Sequence, residues 1–224
     1  MGNDCTRNCK YCNISCARPE PLDLEEPKHV AEAVQALGLK YAVITSVTRD
    51  DLPDGGAEHF ANCIYEIRKL CPDTKIEILT PDFKGNKDCL DTIIKAHPDV
   101  FNHNIEAVRD IFKSVRPQGD YECSLEVLKY VKDNSDILTK SGLIIGLGET
   151  FEQIEQTLID LKNVGCDIVT IGQYIQPSKH HLEVAKYYTP EEYDKLKELA
   201  NKVGIKNHQI GPLVRSSYRA AELV

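Results

Sequence analysis

No apolar run in this 224-residue sequence is long enough to cross a bilayer, and no signal-peptide pattern opens it. The cytoplasm is therefore the expected compartment, and a membrane partner is not expected. A basic stripe is also missing. Lys and Arg number 27 against 35 Asp and Glu, a formal net charge of −8, which speaks against nucleic acid as a partner. Low-complexity segments and short repeats are absent. A disulfide framework is not expected either, since the nine cysteines are odd in number and the chain reads as cytosolic. What remains is a soluble-protein composition, 42% apolar and 28% charged, sized for one domain over residues 1–224.

Strand-like and helix-like stretches alternate along the chain. The strand candidates are "YAVITSV" (41–47), "KIEILT" (75–80), "VFNHNI" (100–105), "SGLIIGL" (141–147) and "DIVTIGQY" (167–174). They are rich in β-branched residues and nearly continuous in apolarity, as strands covered on both faces are. Helices are expected over 26–37, 58–71, 87–96, 121–132, 151–163 and 190–203. Phe151, Ile154, Leu158, Leu161 and Val164 form one apolar stripe in the fifth. Thr189, Pro190 and Glu192 form a cap and capping box for the last. Such alternation predicts parallel strands, in an open sheet or part of a barrel. Polar or glycine-rich residues follow each strand, so the chemistry should gather at the carboxyl ends.

The densest chemical signal is "CTRNCKYC" at 5–12, in which Cys5, Cys9 and Cys12 are spaced C-x3-C-x2-C. Three thiolates at this spacing can wrap one side of a metal or cluster. On a cubane they leave one iron open, whereas a closed zinc or iron–sulfur site needs a fourth ligand, for which Cys16 is the candidate. A non-catalytic four-cysteine protein is thus the alternative to an enzyme. Cys63, Cys71, Cys89, Cys123 and Cys166 read as small packed hydrophobes. His103, His180 and His181 suggest metal by type, but hydrogen-bonding roles are preferred.

With Tyr11 as its aromatic, the triplet resembles the signature of the radical S-adenosylmethionine (SAM) superfamily. "GLIIGLGE" at 142–149 resembles a second superfamily pattern, carried by Gly142, Ile144, Gly146 and Glu149. The blocks "ITSVTRDDLPDGGAEHF" (44–60), "EILTPDFKG" (77–85), "VFNHNIEAV" (100–108), "KSGLIIGLGET" (140–150), "DIVTIGQYIQPSKHHLEV" (167–184) and "GPLVRSSYRA" (211–220) resemble one family, lipoyl synthase, over nearly the whole chain. The resemblance implies a partial (β/α)6 TIM-like barrel. It implies a [4Fe-4S] cluster on Cys5, Cys9 and Cys12, with SAM on the fourth iron and Tyr11 near the adenine. Hydrogen abstraction by a 5′-deoxyadenosyl radical would then allow sulfur insertion at C6 and C8 of an octanoyl-lysine. The implied partners are octanoylated lipoyl domains of 2-oxoacid dehydrogenases, the glycine-cleavage H protein, and an electron donor such as ferredoxin or flavodoxin. Asn104 and Glu106 are expected near SAM, Lys140 and Ser141 at its ribose or carboxylate, Gly146 behind the adenine, and Gln173 and Tyr174 at the adenosine. Arg215 and Tyr218 are expected to shape the substrate channel.

The family also carries an auxiliary [4Fe-4S] cluster, with three cysteines in C-x4-C-x5-C before the SAM motif and the second serine of RSSY, here Ser217. Only four residues precede Cys5, and no cysteine group in the chain has that pattern. The expectation is a truncated chain that lacks the first strand, binds one cluster and cleaves SAM without completing sulfur insertion; the alternative is a natural short form whose partner protein supplies the missing ligands. Ala107 stands where the family usually has threonine.

Overall fold

The computed structural model describes all 224 residues. After two short parallel segments, β1 (Asp4–Cys5) and β2 (Ser15–Cys16), helix α1 (Glu26–Ala36) leads into a six-stranded parallel sheet. Its strands are β3 (Tyr41–Thr45), β4 (Lys75–Leu79), β5 (Val100–Asn102), β6 (Leu138–Ile145), β7 (Ile168–Gln173) and β8 (Asn207–Gly211), paired in sequence order. Helices α2 (Ala57–Leu70), α3 (Lys87–Ala96), α5 (Tyr121–Asn134), α6 (Phe151–Asn163) and α7 (Pro190–Val203) make the crossovers. A single turn, α4 (Phe112–Val115), precedes α5. β3 and β8 each pair on one side only, so the sheet is a partial barrel.

Five strands and all six long helices lie where periodicity places them, within a few residues. The strand β8 was not foreseen, since residues 205–224 read as a C-terminal segment. Its sequence, "NHQIG", has one large apolar side chain and no alternation of its own. It is a strand because β7 offers it an unpaired edge, with Ile168 to Gly172 in register with Asn207 to Gly211. The outer edge of β3 has no strand partner. α7 opens as read: Thr189 Oγ accepts from the Glu192 amide at 3.3 Å, and Glu192 returns to the Thr189 amide at 3.0 Å. In α6, Ile154, Leu158 and Leu161 are fully buried, so its stripe faces the sheet.

The barrel interior departs from the expectation of apolar strands on both faces. Alternation along each strand sends Ile76, Ile78, Phe101, Val169 and Ile171 into the core under the helices. The other face carries Glu77, Asn102, Lys140 and Thr170, all buried. Glu77 accepts from Lys140 Nζ on both oxygens at 2.9 Å, from Asn102 Nδ2 at 2.9 Å and from the Tyr41 hydroxyl at 2.7 Å. The polar interior is therefore organised around one carboxylate, with Asn102 Oδ1 left unpartnered.

Two interior glycines make room for other groups. A Cβ on Gly142 would crowd Asn104 Oδ1 at 2.6 Å. One on Gly172 would overlap the Val214 carbonyl, because the chain beyond β8 enters the barrel there. Gly172→Ala is expected to force that segment outward and to cost about 1–3 kcal/mol, as overpacking does. Urea denaturation checks this, and an unchanged midpoint would contradict it.

Candidate functional site

The cysteine loop lies across the carboxyl ends of the strands. Arg7 fixes it. Its guanidinium donates twice to Asp82 at 2.6 Å, and to Asp50 at 2.7 and 3.0 Å. Asp82 holds the Arg7 charge firmly in place despite burial, and Arg7 in turn holds the Asp82 carboxyl well below its usual range. The Thr6 amide donates to the Thr48 carbonyl at 3.0 Å and the Lys10 amide to Val115 at 2.8 Å. His181 Nε2 lies 3.0 Å from the Cys12 carbonyl. The loop is thus tied to segments after β3, β4, α4 and β7.

Cys5, Cys9 and Cys12 border one cavity of about 430 Å³, with Thr80, His103, Asn104, Glu106 and Arg116 among the residues opposite. Two backbone amides, of Arg7 and Thr48, point at Cys5 Sγ at 3.4 Å. Burial lifts the Cys9 and Cys12 thiols above their ordinary value, and at Cys9 the Arg116 guanidinium opposes it. Four residues of this wall have a buried polar atom without a partner: Thr80 Oγ1, His103 Nε2, Asn104 Oδ1 and Arg116 Nε. Such a concentration of unpaired groups marks a place built to receive a polar ligand.

A second cavity, about 490 Å³, continues into the barrel and has an apolar wall from Val43, Leu143, Ile144, Ile175 and Val214. Gln173 and Tyr174 border it, as do Arg215, Ser216 and Ser217. Tyr11, Thr45, Leu79, Asn104 and Glu106 border both cavities and form the wall between them. Glu106 takes a positive φ of 68°, and its amide donates to Gly142 while its carbonyl accepts from Ile144. This bridge turns "NHNIE" back onto β6 and aims Asn104 and Glu106 into the shared wall. Burial raises the Glu106 carboxyl, with Arg116 and Asn104 opposing.

Cys5, Cys9, Cys12, Tyr11, Asn104 and Glu106 are therefore brought together, with Gln173, Tyr174 and Ser217 in the adjoining cavity. Lys140, Ser141 and Gly146 border neither. Lys140 has all three donors committed, two to Glu77 and one to the Ser216 carbonyl at 2.6 Å. Ser141 is the next residue of a strand and so faces the other way, where its hydroxyl accepts from the Ile105 amide at 3.1 Å. Both are buried supports of the sheet. Gly146 leaves room for the Gln173 amide and the Lys186 carbonyl, while Glu149 holds the Gly146 and Leu147 amides at 2.6 and 2.9 Å. The Gln173 amide is itself saturated, donating to the carbonyls of Ile145, Tyr174 and Lys186 and accepting from Tyr188 and Tyr193.

Arg7, Arg116 and Thr80 were not singled out in sequence. Arg7 lies inside the octet, so its place was the available signal; Arg116, in "SVRPQGD", has none. Two of the three histidines behave as hydrogen-bonding groups: His103 Nδ1 lies 2.9 Å from the Thr80 carbonyl, and His181 Nδ1 2.8 Å from Ser178 Oγ, whereas His180 contributes only its backbone amide. Cys63, Cys89 and Cys166 are buried, and Cys71 and Cys123 pack against the core.

Three thiols on the wall of one cavity are the ligand set that a cubane with one open iron would take. Cys16 is exposed and outside the cavity, although its backbone pairs with that of Cys5 between β1 and β2.

Residues 1–161 match the radical SAM superfamily. Solved structures share this fold at low identity. Methylornithine synthase (PylB) superposes with a TM-score of 0.70 at 12% identity, over 89% of this chain and 60% of that one. HydG, a maturase of the [FeFe]-hydrogenase, gives 0.74 at 14% over 97% and 52%. Streptococcus suis SuiB bound to S-adenosylmethionine gives 0.71 at 10% over 93% and 48%. The chain thus spans about half of these larger proteins. It is 53% identical to the lipoyl synthase of Caldanaerobacter subterraneus over 98% of this chain and 78% of the relative. It is also 53% identical to that of Rubrobacter xylanophilus, over 99% and 70%. The chain belongs to the lipoyl synthase family, radical SAM sulfurtransferases.

Two outcomes are expected. Arg7→Met leaves Asp82 buried and unpaired, and should cost about 3–5 kcal/mol in a denaturant titration. His103 is depressed from 6.5 to about 4 by burial, with Arg116 and Arg7 adding and Asp82 opposing. Between those values the unfolded chain binds the extra proton, so stability should rise with pH from about 4 to about 6.5, by about 3 kcal/mol in all. A pH series of melting curves checks it, and His103→Gln should flatten the slope.

Proposed function

We propose that Cys5, Cys9 and Cys12 hold a [4Fe-4S] cluster in the first cavity and that SAM lies between it and the barrel. Tyr11 and the pair Asn104–Glu106 would flank SAM from the shared wall. When bound, the cluster and SAM supply a 5′-deoxyadenosyl radical able to take hydrogen from an unactivated carbon. A saturated chain has no acidic C–H bond, so acid–base groups alone do not serve here. The carrying observation is the shared wall, which puts the cysteine side within one partition of an apolar chamber.

That chamber receives the octanoyl arm of a carrier, a lipoyl domain of a 2-oxoacid dehydrogenase or the glycine-cleavage H protein. Its apolar side chains line the arm, and Arg215 stands beside it. The polar wall holds SAM in a fixed pose, and the enclosure keeps bulk water away. Gly146 and Gln173 set the shape behind it, and Lys140 and Ser141 support the interior. An electron donor such as ferredoxin or flavodoxin completes the set, in the cytoplasm. No helix is long and apolar enough to cross a membrane.

The auxiliary cluster of the family is a separate matter. The second cavity offers Ser217 but no cysteine, so the residues of this chain do not by themselves fit such a cluster.

Anaerobic reconstitution of this chain should give about four irons, since one cubane holds that many. Reduction with SAM present should yield 5′-deoxyadenosine. Alanine at Cys5, Cys9 or Cys12 should abolish both, and Cys16→Ala should change neither. About eight irons per chain would overturn the one-cluster reading.

A further inference from the structure

The segment that follows β8 is gripped from inside the barrel at one residue, Ser216. The Lys140 ammonium donates to its carbonyl at 2.6 Å. Asn104 Nδ2 donates to its hydroxyl at 2.7 Å. Gly172 leaves the space through which the preceding Val214 carbonyl passes. Ser217, the next residue, borders the barrel cavity, and Tyr218 is exposed. Glu77 fixes Lys140, and Tyr41 and Asn102 complete its shell. The grip on the carbonyl is therefore rigid.

The grip on the hydroxyl runs through Glu106. Asn104 Nδ2 donates one hydrogen to Ser216 Oγ and the other to Glu106 Oε1, the latter at 3.1 Å. Its Oδ1 is buried without a partner, in a residue that borders both cavities. Turning the amide over would set Oδ1 against the Glu106 carboxylate. The observed orientation therefore depends on where that carboxylate stands. An ammonium-bearing ligand that pairs with Glu106 would fix the carboxylate in place, and with it the amide that donates to Ser216.

We propose that Ser216 and Lys140 are positioning residues that couple occupancy of the cysteine-side cavity to the seating of Arg215–Tyr218. Lys140 sets where the backbone runs, and Ser216 senses the state of Asn104. Linkage makes the effect mutual: a seated segment strengthens ligand binding by the factor by which the ligand seats the segment. The proposal rests on the reading of Asn104 and Glu106 as SAM-binding residues.

The test is hydrogen exchange of residues 212–219 in the reconstituted full chain, with and without S-adenosylhomocysteine, beside calorimetric binding of the same ligand. In the native chain the ligand should slow exchange in this segment by roughly fivefold or more. Ser216→Ala removes one hydroxyl and should still bind the ligand while losing that protection. Lys140→Met should raise exchange in both states. If circular dichroism shows it unfolded, Ser216→Ala decides alone. Ligand that binds Ser216→Ala and protects 212–219 as in the native chain overturns the coupling. A native chain that fails to bind the ligand overturns the SAM reading itself, and the coupling with it.

Discussion

The structure depends on one buried ion pair. Lys140 and Glu77 meet inside the barrel, where neither side chain has access to water. Removing two charges from water is costly, and a lone partner left there would be severely destabilising. The cost is offset because Glu77 also accepts from Asn102 and Tyr41, and Lys140 donates its third hydrogen to Ser216. Strands β3, β4, β5 and β6 are thereby joined across the interior. The C-terminal segment is drawn into the space that Gly172 of β7 leaves. An apolar filling of the same volume would hold the sheet together, but would offer nothing to hold Ser216.

From that support the site builds outward. Asn104 stands two residues beyond β5, in the wall shared by both cavities, and touches the Ser216 hydroxyl. Arg7 spans the loops after β3 and β4, so the thiols keep one orientation toward that wall. The cysteine side is polar and partly unsatisfied, whereas the barrel side is largely apolar. A polar cofactor against a fatty chain is the division of surface that the family's chemistry requires.

The triplet and "NHNIE" were legible from spacing, and RSSY from the family resemblance. The triplet, "NHNIE" and RSSY each arrive at a cavity wall, since each follows a strand or precedes a helix of the repeating unit. Individual roles were less legible. Lys140 and Ser141 are neighbours in a strand, so alternation sends them to opposite faces, and neither is exposed to a ligand. Glu149 and Gln173 hold loops. Arg116 could not be recognised, because nothing in "SVRPQGD" shows that α4 swings it beneath the cysteines. β8 was missed because its propensity is weak and its partner strand decides it.

The amino-acid sequence by itself determined the parallel α/β alternation, the helix caps, the three-thiol loop and the family. These are local or periodic properties, encoded in residues a few positions apart. Tertiary structure alone decided that the strand interior is polar, that β8 pairs with β7, and that Ser216 rests on Lys140. Those contacts join residues as far as 112 positions apart, as Asn104 and Ser216 are. They depend on where glycines leave room and on which buried charge finds its partner. The octet at the start therefore names the chemistry, while the barrel beneath it decides what the radical can reach.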